Sequence, residues 1–202
     1  MRAVSMRISL HHIFVAVVVV LFGASLFFTV QVVAFKKSLA PGSAAPGLKS
    51  GQAAVVTNTI DGDEVIVKWG EESLRVRLLG IYSYDPTADD PLVKPMARQA
   101  FLHLDKTLRN REVEIVFDEL KFDSRKRLLA YLQKDGADVG LEMIAGGLAL
   151  AYTKYPFSRM NPYLLAQEKA MQDKAGLWAD RQLALRSSQL KILWDTERTR
   201  GD

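Results

Sequence analysis

The sequence predicts an α+β, mainly β, domain: a five-stranded closed barrel of the OB type with about three packed helices. One N-terminal membrane-spanning helix precedes it. Three observations lead there. Five short β-branched or alternating runs are separated by turn signals. Three stretches with apolar residues at helical spacing lie between and after them. A run of 23 uncharged, mostly apolar residues stands apart near the N-terminus.

The strands are read in order. Ala53 to Ile60 and Glu64 to Trp69 are β-branched runs joined by Asp61-Gly62-Asp63, a turn signal. Leu74 to Ile81 alternates and then becomes wholly apolar. Glu112 to Phe117 sets Val113, Ile115 and Phe117 against polar neighbours, as a half-buried strand does. Leu128 to Leu132 is the fifth run.

The helices follow the same logic. Pro95 to Leu108 places Met96, Ala100, Phe101, Leu104 and Leu108 on one face, with Pro95 at a tolerated first-turn position. Asp138 to Ala145 spaces Val139, Met143 and Ile144 helically before Gly146-Gly147. Asn161-Pro162 reads as an N-cap with proline behind it. That helix runs through Leu164, Leu165, Glu168 and Met171 to Gly176.

Around this core the chain divides into residues 1–12, a flank; 13–35, a membrane anchor; 36–52, a flexible linker; 53–180, the barrel domain; and 181–202, a partly helical extension. Ile13 to Phe35 gives about 34 Å of helix, enough to span a bilayer. The apolar region of a cleaved signal peptide is shorter. Arg2 and Arg7 favour an inside N-terminus, which puts the folded domain outside the cytoplasm on a single-pass anchor. The linker is rich in Ala, Gly, Ser and Pro. In the extension, Leu183, Leu185, Leu190, Ile192, Leu193 and Trp194 form an element that docks on the barrel or on a protein partner, and residues 196–202 are expected to fray.

Charge narrows the function. Five bases and no acid precede residue 53, which leaves 22 of the 27 bases against all 23 acids, a net charge of −1. A nucleic-acid contact would therefore need a local patch. Cysteine is absent, which excludes disulfides and thiolate metal sites. No phosphate-binding glycine motif and no serine–histidine–acid set is present, and His103 reads as an ordinary helix residue. What remains is acids and arginines. Asp61 and Asp63 flank Gly62, as a plain turn or as oxygen ligands for a hard cation. Arg77 and Arg127 sit at apolar strands, where a guanidinium needs a carboxylate or phosphate partner.

Five stretches in order resemble the staphylococcal nuclease (thermonuclease) family: "TIDGDEVIV", "RVRLLGI", "FDSRKRLLAYL", "DVGLEMIAGGLALAY" and "LLAQEKAMQDKAGLW". The resemblance covers about residues 53 to 180 and implies the same five-stranded barrel with three helices. It also implies hydrolysis of DNA and RNA phosphodiesters. In that chemistry two aspartates and a loop carbonyl hold Ca²⁺, a glutamate activates water and two arginines clamp the phosphate. Asp63 then falls on the first metal aspartate and Asp61 on its supporting acid. Arg77 and Arg127 fall on the two arginines. Tyr152 falls on a nucleotide-pocket tyrosine, with Tyr155 close by.

The loop after Arg77 departs from the pattern. Tyr82 stands at the second metal aspartate, Ser83 follows in a supporting position, Tyr84 takes the proline and Asp85 the glutamate. Lys126 replaces a glycine beside the second arginine and joins the nucleic-acid contacts. A phenol is a poor cation ligand at neutral pH, so the implied Ca²⁺ site is weakened. Two functions follow. One is a membrane-tethered, metal-dependent nuclease in which the loop shifts, Asp85 binds metal and Asp89 or Asp90 acts as base. The alternative is a catalytically degenerate module that binds single-stranded nucleic acid or a protein partner.

Overall fold

The computed structural model describes residues 10–39, 47–125 and 127–200. The chain divides into two compact units, one holding the N-terminal helix and the other the barrel with everything after it. The uncharged run is helical, as α1 (Leu10–Leu39), and its described side chains between Phe14 and Val32 are exposed. Among the described residues no helix is long and apolar enough to cross a membrane, so the structure shows a helix here but not a span.

The barrel is closed by five strands: β1 (Gln52–Asp61), β2 (Glu64–Trp69), β3 (Glu72–Leu78), β5 (Glu112–Val116) and β6 (Leu128–Lys134). β1 pairs antiparallel with β2 and β5, β2 with β3, and β5 with β6. A parallel pairing of β3 with β6, Arg77 opposite Leu129, completes the ring. Closure abolishes free sheet edges and leaves one interior to fill. Val56, Val65, Val67, Val76, Leu78, Ile115 and Leu132 fill it and are buried.

The strand after β3 is interrupted. Leu79-Gly80 turns the chain into a short strand, β4 (Ile81–Tyr82), which pairs with β8 (Leu150–Ala151) rather than continuing the barrel. Gly80 adopts φ of +79°, and a Cβ there would lie 2.5 Å from the Phe157 ring. Only glycine satisfies both conditions without a shift. β7 (Ala137–Asp138) extends β6 by a hairpin.

Helix α2 (Lys94–Leu108) buries Ala97, Ala100, Leu104 and Leu108, with Met96 and Phe101 half-buried. His103 is exposed. Helix α3 (Val139–Ala145) buries Val139, Met143 and Ile144 as expected, and its N-cap Asp138 accepts from the Leu141 amide at 3.1 Å.

Helix α4 corrects the sequence reading. It spans Met160–Gln172, so Asn161 lies inside the first turn instead of capping it. Pro162 is still tolerated, because first-turn amides have no intrahelical acceptor. Its buried face is Tyr163, Gln167 and Ala170, while Leu165 and Met171 are exposed. Polar anchoring decides the rotation. The Tyr163 hydroxyl donates to Asp138, and Gln167 Oε1 accepts from the Ala151 amide at 2.9 Å.

A 3₁₀ turn (Gly176–Ala179) leads into α5 (Arg181–Arg200). The expected fraying from residue 196 is also corrected, because the helix continues to Arg200 and Arg198 donates to the Thr153 carbonyl at 2.6 Å. Residues 201–202 lie outside the described residues. Within its own unit α5 docks through Leu183 and Trp194, which are buried; Leu185, Ile192 and Leu193 are exposed.

Candidate functional site

The β1–β2 turn and the start of β3 bring the acids to the arginines. Glu64 in β2 is directly cross-strand from Arg77 in β3, and the parallel register sets the N-terminal end of β6, with Arg127 just before it, beside β3. Gly62 makes this possible. A Cβ there would meet Ser83 Oγ at 2.5 Å and the Ala100 methyl at 2.7 Å, so a side chain at the turn would push the site loop off the barrel.

Two charge clusters result. In the first, Asp63 is only 2% exposed and one of its oxygens pairs with Arg77. Its other oxygen accepts from the Ser83 amide at 2.6 Å, and its own amide donates to Asp61 at 2.9 Å. Arg77 also donates to the Ile81 carbonyl at 3.2 Å. Burial pushes the Arg77 guanidinium down to about 10, Asp61 opposing the shift and Arg127 adding to it. Burial likewise raises the Asp61 carboxyl, against the pull of Arg77.

In the second cluster, Glu64 is 1% exposed and lies between two guanidiniums, Arg75 and Arg127, the latter at 2.9 Å. Arg127 is held from its other side by Asp123, at 2.7 Å through both Nε and Nη2. Asp123 also accepts from the Arg125 and Arg127 amides at 2.9 Å, folding the segment before β6 around itself. Burial works against its charge, but the Arg127 hydrogen bonds outweigh burial and lower its pKa. Buried charges persist only when paired and hydrogen-bonded, and both clusters meet that condition internally.

The loop beyond β4 carries aromatic rings. Tyr82 is half-buried, with its ring 5.2 Å from Trp194, 5.8 Å from Tyr84 and 6.4 Å from Tyr152. Burial, and then Tyr84, raise its phenol further from ionisation. Tyr155 is exposed beside Tyr152, with the Lys154 ammonium 5.7 Å over its ring. Ser83 is buried.

Asp85 is exposed, and its Oδ1 accepts from the Thr87 amide at 2.7 Å and the Thr87 hydroxyl at 2.6 Å. Asp89 is exposed, and Asp90 pairs with Arg186 of α5. The structure therefore brings Asp61, Asp63, Arg77 and Arg127 together with Ser83, and puts Tyr152 beside Tyr82 with Tyr155 against Tyr152. Asp85 lies near enough to Asp61 for its charge to add to the rise of that carboxyl, whereas Asp90 is engaged by Arg186. Lys126 lies outside the described residues.

These donors do not fit the Ca²⁺ ion that the resemblance implies. Calcium asks for six or more oxygens, several of them anionic. Asp63 Oδ1 is paired with Arg77 and its Oδ2 accepts from the Ser83 amide. Among the described residues no three acids or histidines gather to hold a metal ion.

Four contributors were not singled out from sequence: Glu64, Arg75, Asp123 and, as a site residue, Trp194. Glu64 and Arg75 flank residues that were singled out, and strand alternation next to Asp63 and Arg77 could have flagged them. Asp123 stands four residues before Arg127 in a turn-forming "FDSR", which is a signal for a side chain reaching forward. Trp194 becomes a site residue only through tertiary contact.

Comparison with known proteins agrees with this geometry. The family described as staphylococcal nuclease homologue matches residues 75–180, just over half of the chain. Thermonuclease from Staphylococcus intermedius is 28% identical over 130 residues, covering 63% of this chain and 77% of the relative. Endonuclease YncB from Bacillus subtilis is 27% identical over 123 residues, covering 59% and 58%. Thermonuclease from Staphylococcus hyicus is 25% identical over 130 residues, covering 64% and 77%. A closed five-stranded barrel, an arginine in β3 beside another just before β6, and a match that runs from Arg75 through the 3₁₀ turn together place this chain in the staphylococcal nuclease homologue family.

Proposed function

We propose that this chain is a membrane-tethered nuclease-family domain that binds single-stranded nucleic acid and has given up the family's Ca²⁺-assisted hydrolysis. One observation carries the second half: Asp63, the carboxylate best placed to hold a cation, is neutralised by Arg77 and the Ser83 amide. Tyr82, at the position the resemblance gives to the partner aspartate, is packed among aromatic rings instead.

Binding rests on three supports: the family's substrate class, the Tyr152–Tyr155 surface and the Lys154 ammonium over the Tyr155 ring. Arg125 is exposed, whereas Arg75, Arg77 and Arg127 are paired with Glu64 and Asp63. Bases stack on tyrosine faces without regard to sequence, and peripheral cations track the backbone. The tether is the run Ile13–Phe35, 23 uncharged residues, with the barrel outside the cytoplasm.

Hydrolysis is the second reading, favoured by Asp61. A carboxyl whose proton affinity is raised by burial, facing Arg77 and Arg127, has the character of a general acid–base group. The full chain, purified in detergent, should retain single-stranded DNA with an affinity that falls with salt. It should not cleave that DNA in Ca²⁺ or Mn²⁺ above an Arg127→Ala control. Cleavage above the control would replace the first reading with the second, and salt-insensitive or absent binding would remove nucleic acid as the partner.

A further inference from the structure

Helix α5 lies wholly beyond the family match, which ends at residue 180. It nevertheless makes the closest aromatic contacts at the site. The Trp194 ring stands edge-on to Tyr152, with centroids 4.9 Å apart and planes at 80°, and to Tyr82 at 5.2 Å and 65°. It is 6% exposed. An unstacked base reaching Tyr152 would need the space this indole fills.

The helix is fastened along its length to the loops on both sides of that surface. Ser187 Oγ meets the Tyr84 hydroxyl at 2.9 Å, and Arg186 pairs with Asp90, both in the loop after β4. Thr153 donates to Asp195 at 2.6 Å, Arg198 to the Thr153 carbonyl at 2.6 Å and Lys154 to Glu197 at 3.1 Å, all in the segment after β8. The contacts thus join the loop that carries Tyr82 to the segment that carries Tyr152.

Few of the helix's anchors are fully buried. Leu183 and Trp194, eleven residues apart, are its buried apolar side chains, Ala184 and Leu190 pack partly buried beside them, and two of its contacts to the site loops, Arg186–Asp90 and Lys154–Glu197, are partly exposed ion pairs. Such pairs contribute little each, about 0–1 kcal/mol. The helix start is capped by Asp180, which accepts from the Gln182 amide at 2.8 Å and the Leu183 amide at 2.9 Å. Leu185, Ile192 and Leu193 face away from the barrel.

We infer that α5 is a resident competitor for the base-stacking surface: Trp194 fills the place of a nucleobase against Tyr82 and Tyr152, and the helix must lift about Asp180 for single-stranded nucleic acid to bind. This rests on the nucleic-acid reading above. A displaceable helix makes the apparent affinity equal to the intrinsic affinity scaled by the open fraction. Weakening the dock therefore strengthens binding.

The test uses the full chain in detergent and a fluorescent single-stranded oligothymidylate. Trp194→Ala is compared with the wild type, and so is Asp195→Asn/Glu197→Gln, which keeps the indole and loosens the polar contacts. Circular dichroism melting checks each fold; if Trp194→Ala unfolds, the second variant decides. Both should bind about tenfold more tightly than the wild type, since one base–aromatic contact is worth that much. In the wild type, saturating oligothymidylate should speed amide hydrogen exchange across residues 181–200 and leave the barrel strands unchanged. Wild-type binding at the variants' affinity, with α5 still protected, overturns the competitor and leaves the nucleic-acid reading standing. No binding by any of the three proteins overturns both.

Discussion

The charged half of the site and its aromatic half obey different constraints. In the charged half, Asp63, Glu64, Asp123, Arg75, Arg77 and Arg127 neutralise one another inside or at the wall of the barrel. Removing any one strands a partner in a poorly solvated place. In the aromatic half, Tyr82, Tyr84, Tyr152 and Trp194 meet through ring contacts, which tolerate substitution by rings of similar size. Charged residues of this kind are held by the fold whatever the domain does. Their presence therefore says less about activity than the loop that has changed beside them.

The largest expected effect is in the charged half. Asp63→Ala leaves Arg77 buried with its main carboxylate gone, and should cost about 4 kcal/mol of stability, read from chemical denaturation followed by tryptophan fluorescence. A cost under about 1 kcal/mol would mean that Asp61 takes over the pair, and would break the contrast. Glu64→Gln keeps the shape but not the charge between Arg75 and Arg127, and should cost about 2 kcal/mol in the same assay.

A smaller effect is expected from pH. Burial holds the Asp61 carboxyl above its ordinary 3.8, with Arg77 opposing. As pH rises from 3.8, the unfolded chain gives up that proton before the folded one does. Folded stability therefore falls until the folded carboxyl has also ionised. Asp61→Asn should abolish that loss, seen by comparing melting temperatures across the acid range. Asp123 acts with the opposite sign. Its folded pKa lies below 3.8, so its contribution is present above that value and lost as pH falls through the folded pKa.

The smallest effect belongs to the aromatic half. Tyr82→Phe keeps the ring contacts and should change stability by less than about 0.5 kcal/mol. A loss of several times that would show the hydroxyl to be structural and would narrow the difference between the halves.

Much of this was legible in the sequence, for identifiable reasons. Alternation in Glu112–Val116 and β-branching in Gln52–Trp69 report directly on pleated strands facing a core. The pairing need of Arg77 and Arg127 followed from a guanidinium set in an apolar run. Which carboxylate would answer did not follow, because the cross-strand neighbour Glu64 and the turn residue Asp123 are fixed by register and loop geometry. Helix α4 was misplaced by two residues and rotated. Its face is chosen by the hydrogen bonds of Tyr163 and Gln167, which hydropathy does not register. The loop after Arg77 read as a site under repair by Asp85; Thr87 engages one oxygen of that carboxylate locally, and its charge acts on Asp61.

The parallel pairing of β3 with β6 also has a kinetic consequence. Val76 meets Leu128 and Leu78 meets Ala130, partners 52 residues apart in the chain, whereas β1, β2 and β3 are neighbours joined by tight turns. Contacts of such separation carry more loop-closure entropy than the tight-turn pairings and are slower to form. Arg127 reaches Glu64 across that seam, so this part of the charge network depends on its closing, whereas the Asp63–Arg77 and Glu64–Arg75 pairs lie within the local β1–β2–β3 meander. Until the seam closes, Arg127 remains solvated and cheap to keep apart from Glu64.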